Sequence, residues 1–261
     1  MHQRTIRPLG IVAGAASTVG PMLEDTVEEL RAAALAADDA TGYFPAMYAR
    51  VTQRIDQAAA EDRFGDSVGM VDFARSFAGW YLRPRSGVEP IPGCWRAAWD
   101  VGADRRLLIV QHLLLGINAH VNHDLPQVVI EAADRRGGLA RIRADFDAVN
   151  DVLAGILPEV LHDLGRASRW VNLAASAGGG RLFTFSLTAA RDQAWRYATR
   201  ARTLDAAGRS QEAASLDELV RVLAYLVTSP GWPVRWLVPM ARRLEDDDPR
   251  RVVRDLLGEL A

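Results

Sequence analysis

Apolar residues recur three and four positions apart along most of this chain, the spacing that gives a helix one greasy face. Met22 to Ala37 sets Val27, Leu30 and Leu35 among carboxylates, with Glu24 and Asp25 where a helix N-terminus favours negative charge. Phe44 to Ala60 predicts a second helix. Asp66 to Leu82 predicts a third, anchored by Val68, Val71, Phe73, Phe77 and Tyr81. The run from Arg83 to Gly93 holds three prolines and two glycines and reads as a loop. Cys94 to Val101 is short, and Asp104 is placed to cap a longer helix through Asp124. Pro126 starts or kinks the next segment, which runs to Arg136, and further helices are expected from Leu139 to Ile156, Pro158 to Gly165, Ser186 to about Leu204 and Ser215 to Val227, with an amphipathic helix at the end. Ser176 to Gly180 reads as a flexible turn. Only Arg181 to Phe185 hints at β alternation, and it is too short for a sheet. The pattern predicts an all-α, single-domain multi-helix bundle over residues 21–261, preceded by a flexible N-terminal arm, residues 1–20.

Composition narrows the function classes. The chain has 261 residues, 49% of them hydrophobic and 25% charged, which argues against both disorder and a membrane protein. A net charge of -2 gives no general reason to bind nucleic acid or anionic lipid. The single cysteine, Cys94, excludes a disulfide within one chain. All 31 basic residues are arginine, so lysine-dependent Schiff-base chemistry is excluded. The Gly/Ala-rich start is a poor signal peptide, and no stretch approaches the roughly 20 apolar residues of a transmembrane helix. A cytoplasmic protein acting on a small-molecule substrate is expected, and a homo-oligomer is compatible with the sequence.

The segment from Gln111 to Pro126 holds three of the five histidines. At about 100° per residue with His112 as zero, His123 lies near about 20°, His120 near about 80° and Asp124 near about 120°. One polar sector therefore crosses a helix whose other faces carry Leu113, Leu114, Ile117 and Val121. His120 and Asp124, four residues apart, can chelate one ion, whereas His112 is too far along the axis to join them. Asp72, set among apolar residues, and His162 or Asp163 are candidates to complete the ion's shell. Gly116 is expected to leave open space for a ligand, and Asn118 to hydrogen-bond nearby. The bland alternative is a buried His–Asp pair that only satisfies two polar groups.

Gly116-Ile-Asn-Ala-His-Val-Asn-His-Asp-Leu125 resembles a bacterial family of uncharacterised helical proteins with a Gly-x-Asn-Ala-His-x-x-x-Asp-Leu pattern. Phe73 to Tyr81 and Ala190 to Trp195 are similar in type to that family, which implies a helical fold and no particular activity. His120-x-x-x-Asp124 also resembles, over about ten residues, the helix-borne ligand pair of zinc-dependent phospholipase C and P1-type nucleases. That likeness implies zinc ions in an all-α bundle hydrolysing phosphate esters. Ile130 stands where those enzymes carry a further histidine, which limits the site to one or two ions.

Arg191 and Trp195, one turn apart, read either as a substrate-binding pocket wall or as guanidinium stacked on indole. The remaining tryptophans read as core and interface anchors. Cys94, just after Pro92-Gly93, sits where a helix start could lower its pKa. The leading expectation is a metal-dependent hydrolase of an ester or phosphoester, with zinc preferred over iron. His120, Asp124, Asp72 and His162 would hold the divalent metal, His123 and His112 would move protons, and Arg191, Trp195 and Asn118 would contact substrate. The alternatives are a helical di-metal oxidase or oxygenase and a non-catalytic helical binding protein.

Overall fold

A computed structural model describes residues 22–176, 179–232 and 234–259 of the chain. Among them the architecture is all-α, as the periodicity predicts. The helices are α1 (Glu24–Leu35), α2 (Tyr43–Ala60), α3 (Ser67–Arg85), α4 (Gly93–Trp99), α5 (Ile109–Ile117), α6 (Leu125–Arg136), α7 (Arg143–Ala167), α8 (Arg169–Ser176), α9 (Gly179–Ala201), α10 (Ala206–Thr228), α11 (Val234–Arg242) and α12 (Pro249–Leu257). Helix α2 packs on α1, α3, α5, α7 and α12 and so forms the centre of one half of the bundle. Helix α6 packs on α3 and α9 in the other half.

The element that joins the halves is a single helical rod, Ile109 to Arg136, in which a π-helical segment, Asn118–Asp124, separates α5 from α6. Its ends keep right-handed helical dihedrals, and the Leu125 N–H donates to the His120 carbonyl five residues back. Pro126 accounts for the widened turn. A proline ring clashes with the carbonyl four residues before it, and a π-turn moves that carbonyl aside. The sequence reading, in which Pro126 starts or kinks its segment and Asp104 caps the preceding helix, allows for the disturbance at Pro126 but differs at Asp104. Asp104 instead accepts from the Arg106 N–H at 3.0 Å, and the rod begins at Ile109, whose N–H donates to the Glu245 carboxylate at 3.0 Å. Glu245 also accepts from Ser168 Oγ and Trp170 Nε1, so the first residue of the acidic run Glu245 to Asp248 is a buried tie between three parts of the chain.

Other boundaries move for similar reasons. Helix α3 runs through Pro84 to Arg85 before Gly87, at φ 76°, ends it. Pro158 lies inside one long helix, α7, rather than between two. Helix α10 starts nine residues before Ser215 because Asp205 accepts from the Gly208 N–H at 2.7 Å and caps it. Arg181 to Phe185 belongs to α9, and Ser186 lies inside that helix. Part of the expected turn at Ser176–Gly180, and the arm over residues 1–20, fall outside the described residues. Trp232 and Trp236, expected as anchors, are 77% and 63% exposed.

Two apolar clusters fill the bundle. One gathers Phe44, Tyr48, Tyr81 and Trp95 around α2, α4 and α5; the other gathers Phe73, Leu125, Val128 and Phe146 around α3, α6 and α7. Phe77 packs against both. Gly116 sits where α5 crosses α2. It does not leave the expected open space, because a Cβ there would lie 2.5 Å from Phe44 Cγ. Gly116→Ala should therefore cost about 1–3 kcal/mol by overpacking, read as a lower midpoint in thermal or urea denaturation. An unchanged midpoint would show that Phe44 can yield.

Candidate functional site

The π-turn concentrates the polar residues of the rod on one fully buried carboxylate. Asp124 is completely inaccessible to solvent. Its Oδ2 accepts from Trp95 Nε1 at 2.9 Å and pairs with His120 Nδ1 at 3.0 Å, while Oδ1 pairs with His123 Nδ1 at 2.8 Å. A carboxylate offers only acceptors, so each imidazole donates from Nδ1 and turns Nε2 away from Asp124. Two histidines are thus fixed in tautomer and orientation by one group, and their free nitrogens serve different surroundings.

His120 is enclosed by aromatic rings. Phe77 stacks on it with ring centroids 3.6 Å apart and planes 8° from parallel. Tyr48 and Phe44 meet it edge-on at 4.4 and 5.4 Å. Burial pushes its pKa down, against the opposing pull of Asp124. Its Nε2 is buried and has no hydrogen-bond partner among the described residues. Orphans of this kind are uncommon in native interiors.

His120 also forms part of the wall of a half-open apolar cavity of about 280 Å³. Its lining is almost wholly apolar, drawn from Phe44, Tyr48, Phe73, Phe77, Leu113 and Ile117 on one side and from Val149, Leu153, Ile156 and Leu161 of α7 on the other. Arg191, from α9, is the cationic side chain in that wall. Sequence reasoning named His120 and Arg191 but had no means of seeing that they share a cavity. Strand-like or helical periodicity records which face is apolar, not whether the facing helices meet.

His123 faces the opposite way. Its Nε2 lies 4.0 Å from Asp217 Oδ1, and Cys94, His123 and Asp217 offer ligand atoms all within 4.8 Å of one another. Asp217, on α10, accepts from the Gly93 and Cys94 N–H groups at 2.9 and 2.8 Å and so holds the start of α4 in place. Neither Asp217 nor Trp95 is visible as a site residue in the sequence, because the chain must fold to bring α4 and α10 to the rod. Burial, followed by its contact with Asp217, raises the Cys94 pKa, the reverse of the lowering expected from its place near a helix start.

The other sequence candidates lie elsewhere. Asp72 is exposed on α3 and pairs with Arg75 at 3.5 Å, so it does not join His120. The apolar residues flanking it in sequence are on the other faces of its helix. His162 is exposed on α7, and its neighbour Asp163 is paired with Arg50. His112 is buried against the Tyr43 ring and near Asp104, away from Asp124; burial lowers its pKa. Asn118 ties the π-turn to α10 by donating to the Val220 carbonyl at 2.9 Å. Arg191 and Trp195 do not stack on one another. Arg191 lies 4.2 Å over Phe146, and Trp195 is covered by Arg143 at 4.7 Å.

Asp124→Asn keeps the volume but must turn an amide N–H₂ toward one of three donors. A loss of about 1–3 kcal/mol in stability is expected from the unmatched buried pair, read by chemical denaturation. A wild-type midpoint would mean that the carboxylate's charge is not needed to hold the two imidazoles.

The curated proteins and the solved structures contain no match to the chain. A family of unknown function, DUF5995, matches residues 23–230, a span that includes α1 to α10, the π-turn, Asp217 and Arg191. The chain belongs to that family.

Proposed function

We propose that the protein binds a largely apolar small molecule in this half-open cavity and uses the His120–Asp124 pair to move a proton on it. The observation that carries this reading is the conjunction at His120: one ring nitrogen held by a buried carboxylate, the other without a partner, in the wall of a cavity of about 280 Å³. An imidazole oriented by a carboxylate is the arrangement general acid–base catalysis requires. An apolar cleft with few polar groups is the usual form of a small-molecule site. Its lowered pKa leaves His120 neutral near pH 7, in the form that accepts a proton.

The test uses N-phenyl-1-naphthylamine, a neutral fluorophore that brightens in apolar surroundings. The folded protein should take it up saturably at one site. Leu153→Trp, which pushes an indole into the cavity from α7, should weaken uptake by about tenfold or more, in line with the loss of a buried apolar contact. Uptake that does not saturate, or that Leu153→Trp leaves unchanged, would end the reading.

A second reading keeps the metal-dependent hydrolase and moves its ion. Asp124 is fully buried and already accepts from Trp95 and both imidazoles, and His120 turns its Nδ1 to that carboxylate, so the pair His120–Asp124 is poorly suited to chelation. Cys94, His123 and Asp217 fit better: they combine sulfur, nitrogen and oxygen donors at close quarters, and Asp124 orients His123 through Nδ1, as carboxylates commonly orient metal-binding histidines. A zinc ion held there would supply an activated water for ester or phosphoester hydrolysis. Elemental analysis of protein purified without chelators or a histidine tag should then find about one zinc per chain, lost in His123→Ala and kept in His120→Ala. Metal-free wild-type protein after zinc dialysis would exclude this second reading and leave the cavity reading intact.

A further inference from the structure

The cavity wall contains a charge with no ion-pair partner among the described residues. Arg191 is 5% exposed. Its Nε donates to Asn150 Oδ1 at 2.8 Å and one terminal nitrogen donates to the Phe146 carbonyl at 2.5 Å, and the guanidinium lies over the Phe146 ring. Those are two of the group's five N–H donors, and both acceptors are neutral. Among the described residues no carboxylate stands within 4.0 Å of it, and residues 1–21, 177–178, 233 and 260–261 contain no Asp or Glu. Asp147 and Asp192, the nearest acidic groups to act on it, are instead paired with Arg143 at 2.7 and 3.6 Å. Burial pulls the Arg191 pKa down to about 10, which still leaves the side chain charged at neutral pH.

Burying an unpaired guanidinium is costly, and surface arginines of this chain regularly find carboxylates; Arg54 with Glu159 and Arg143 with Asp147 are examples. Arg191 is held away from such partners, with its stem and head fixed by Asn150 and Phe146, in the wall of a cavity lined otherwise by hydrocarbon. The complement of that surface is an apolar body with a single anionic end, and a planar carboxylate matches a guanidinium by paired hydrogen bonds. We infer that the ligand of the cavity is an apolar carboxylic acid, of the fatty-acid type, whose carboxylate is bound by Arg191. This rests on the reading that the cavity is a ligand site and names the ligand's chemistry.

Isothermal titration of the full chain with decanoate and with decanol at pH 7.5 separates the two claims. Decanoate should bind about tenfold or more tightly than decanol, the usual scale of a hydrogen-bonded charge pair. Arg191→Gln should remove that preference while changing decanol affinity less than about twofold, and Arg191→Lys should restore part of it. Should Arg191→Gln fail to fold, the decanoate-to-decanol ratio of the wild type and of Arg191→Lys still decides. Equal binding of the two compounds by the wild type, or decanoate binding unchanged in Arg191→Gln, overturns the role of Arg191 and leaves the cavity reading standing. Binding of neither compound, together with no uptake of the neutral fluorophore, overturns both.

Discussion

The structure turns on one buried carboxylate. Asp124 has no solvent and no arginine to balance it, only N–H donors from a tryptophan and two histidines. In a low-dielectric interior such a group is tolerated only while every acceptor is matched. Three elements therefore have to meet at a fixed geometry. The π-turn must present His120, His123 and Asp124 together; α4 must bring Trp95; and α10, through Asp217 and the Val220 carbonyl, must hold α4 and Asn118 in place. Loss of any one leaves the buried charge with one donor fewer.

The same constraint shapes the space around it. His120 cannot withdraw from Phe77 without losing Asp124, and Phe77 packs against both apolar clusters. The rod is thus pinned at the boundary between the halves of the bundle, with α7 on the far side of the gap. Side chains of α2, α3 and α5 close one wall and those of α7 and α9 the other. The Phe77–His120 stack is part of the first wall. Ordinary cores collapse onto such gaps until packing is dense.

Much of this was legible before folding. Three-and-four spacing identified nearly every helix, since it needs only a consistent apolar face, and the crowding of His120, His123 and Asp124 was plain on the rod. What failed did so for tertiary reasons. Asp72 looked buried because its neighbours in sequence are apolar, yet a helix turns about 100° per residue and a carboxylate among leucine-like residues can still face water. Glu245, in the acidic run Glu245 to Asp248, is buried because Ile109, Ser168 and Trp170 converge on it from elsewhere, which no local pattern signals. Asp217 and Trp95 carry no local signal at all. Gly116 looked like room for a ligand; Phe44, more than seventy residues earlier, fills it.

Asp124 also makes its two histidines thermodynamically dependent on each other. His120 belongs to the cavity and His123 to the Cys94–Asp217 cluster, but their Nδ1 atoms share the two oxygens of one carboxylate. A positive charge placed on His123 draws electron density from Asp124 and weakens the hold on His120; a proton taken up at His120 does the same in return. Coupling of this kind is reciprocal by necessity, whichever side is occupied first.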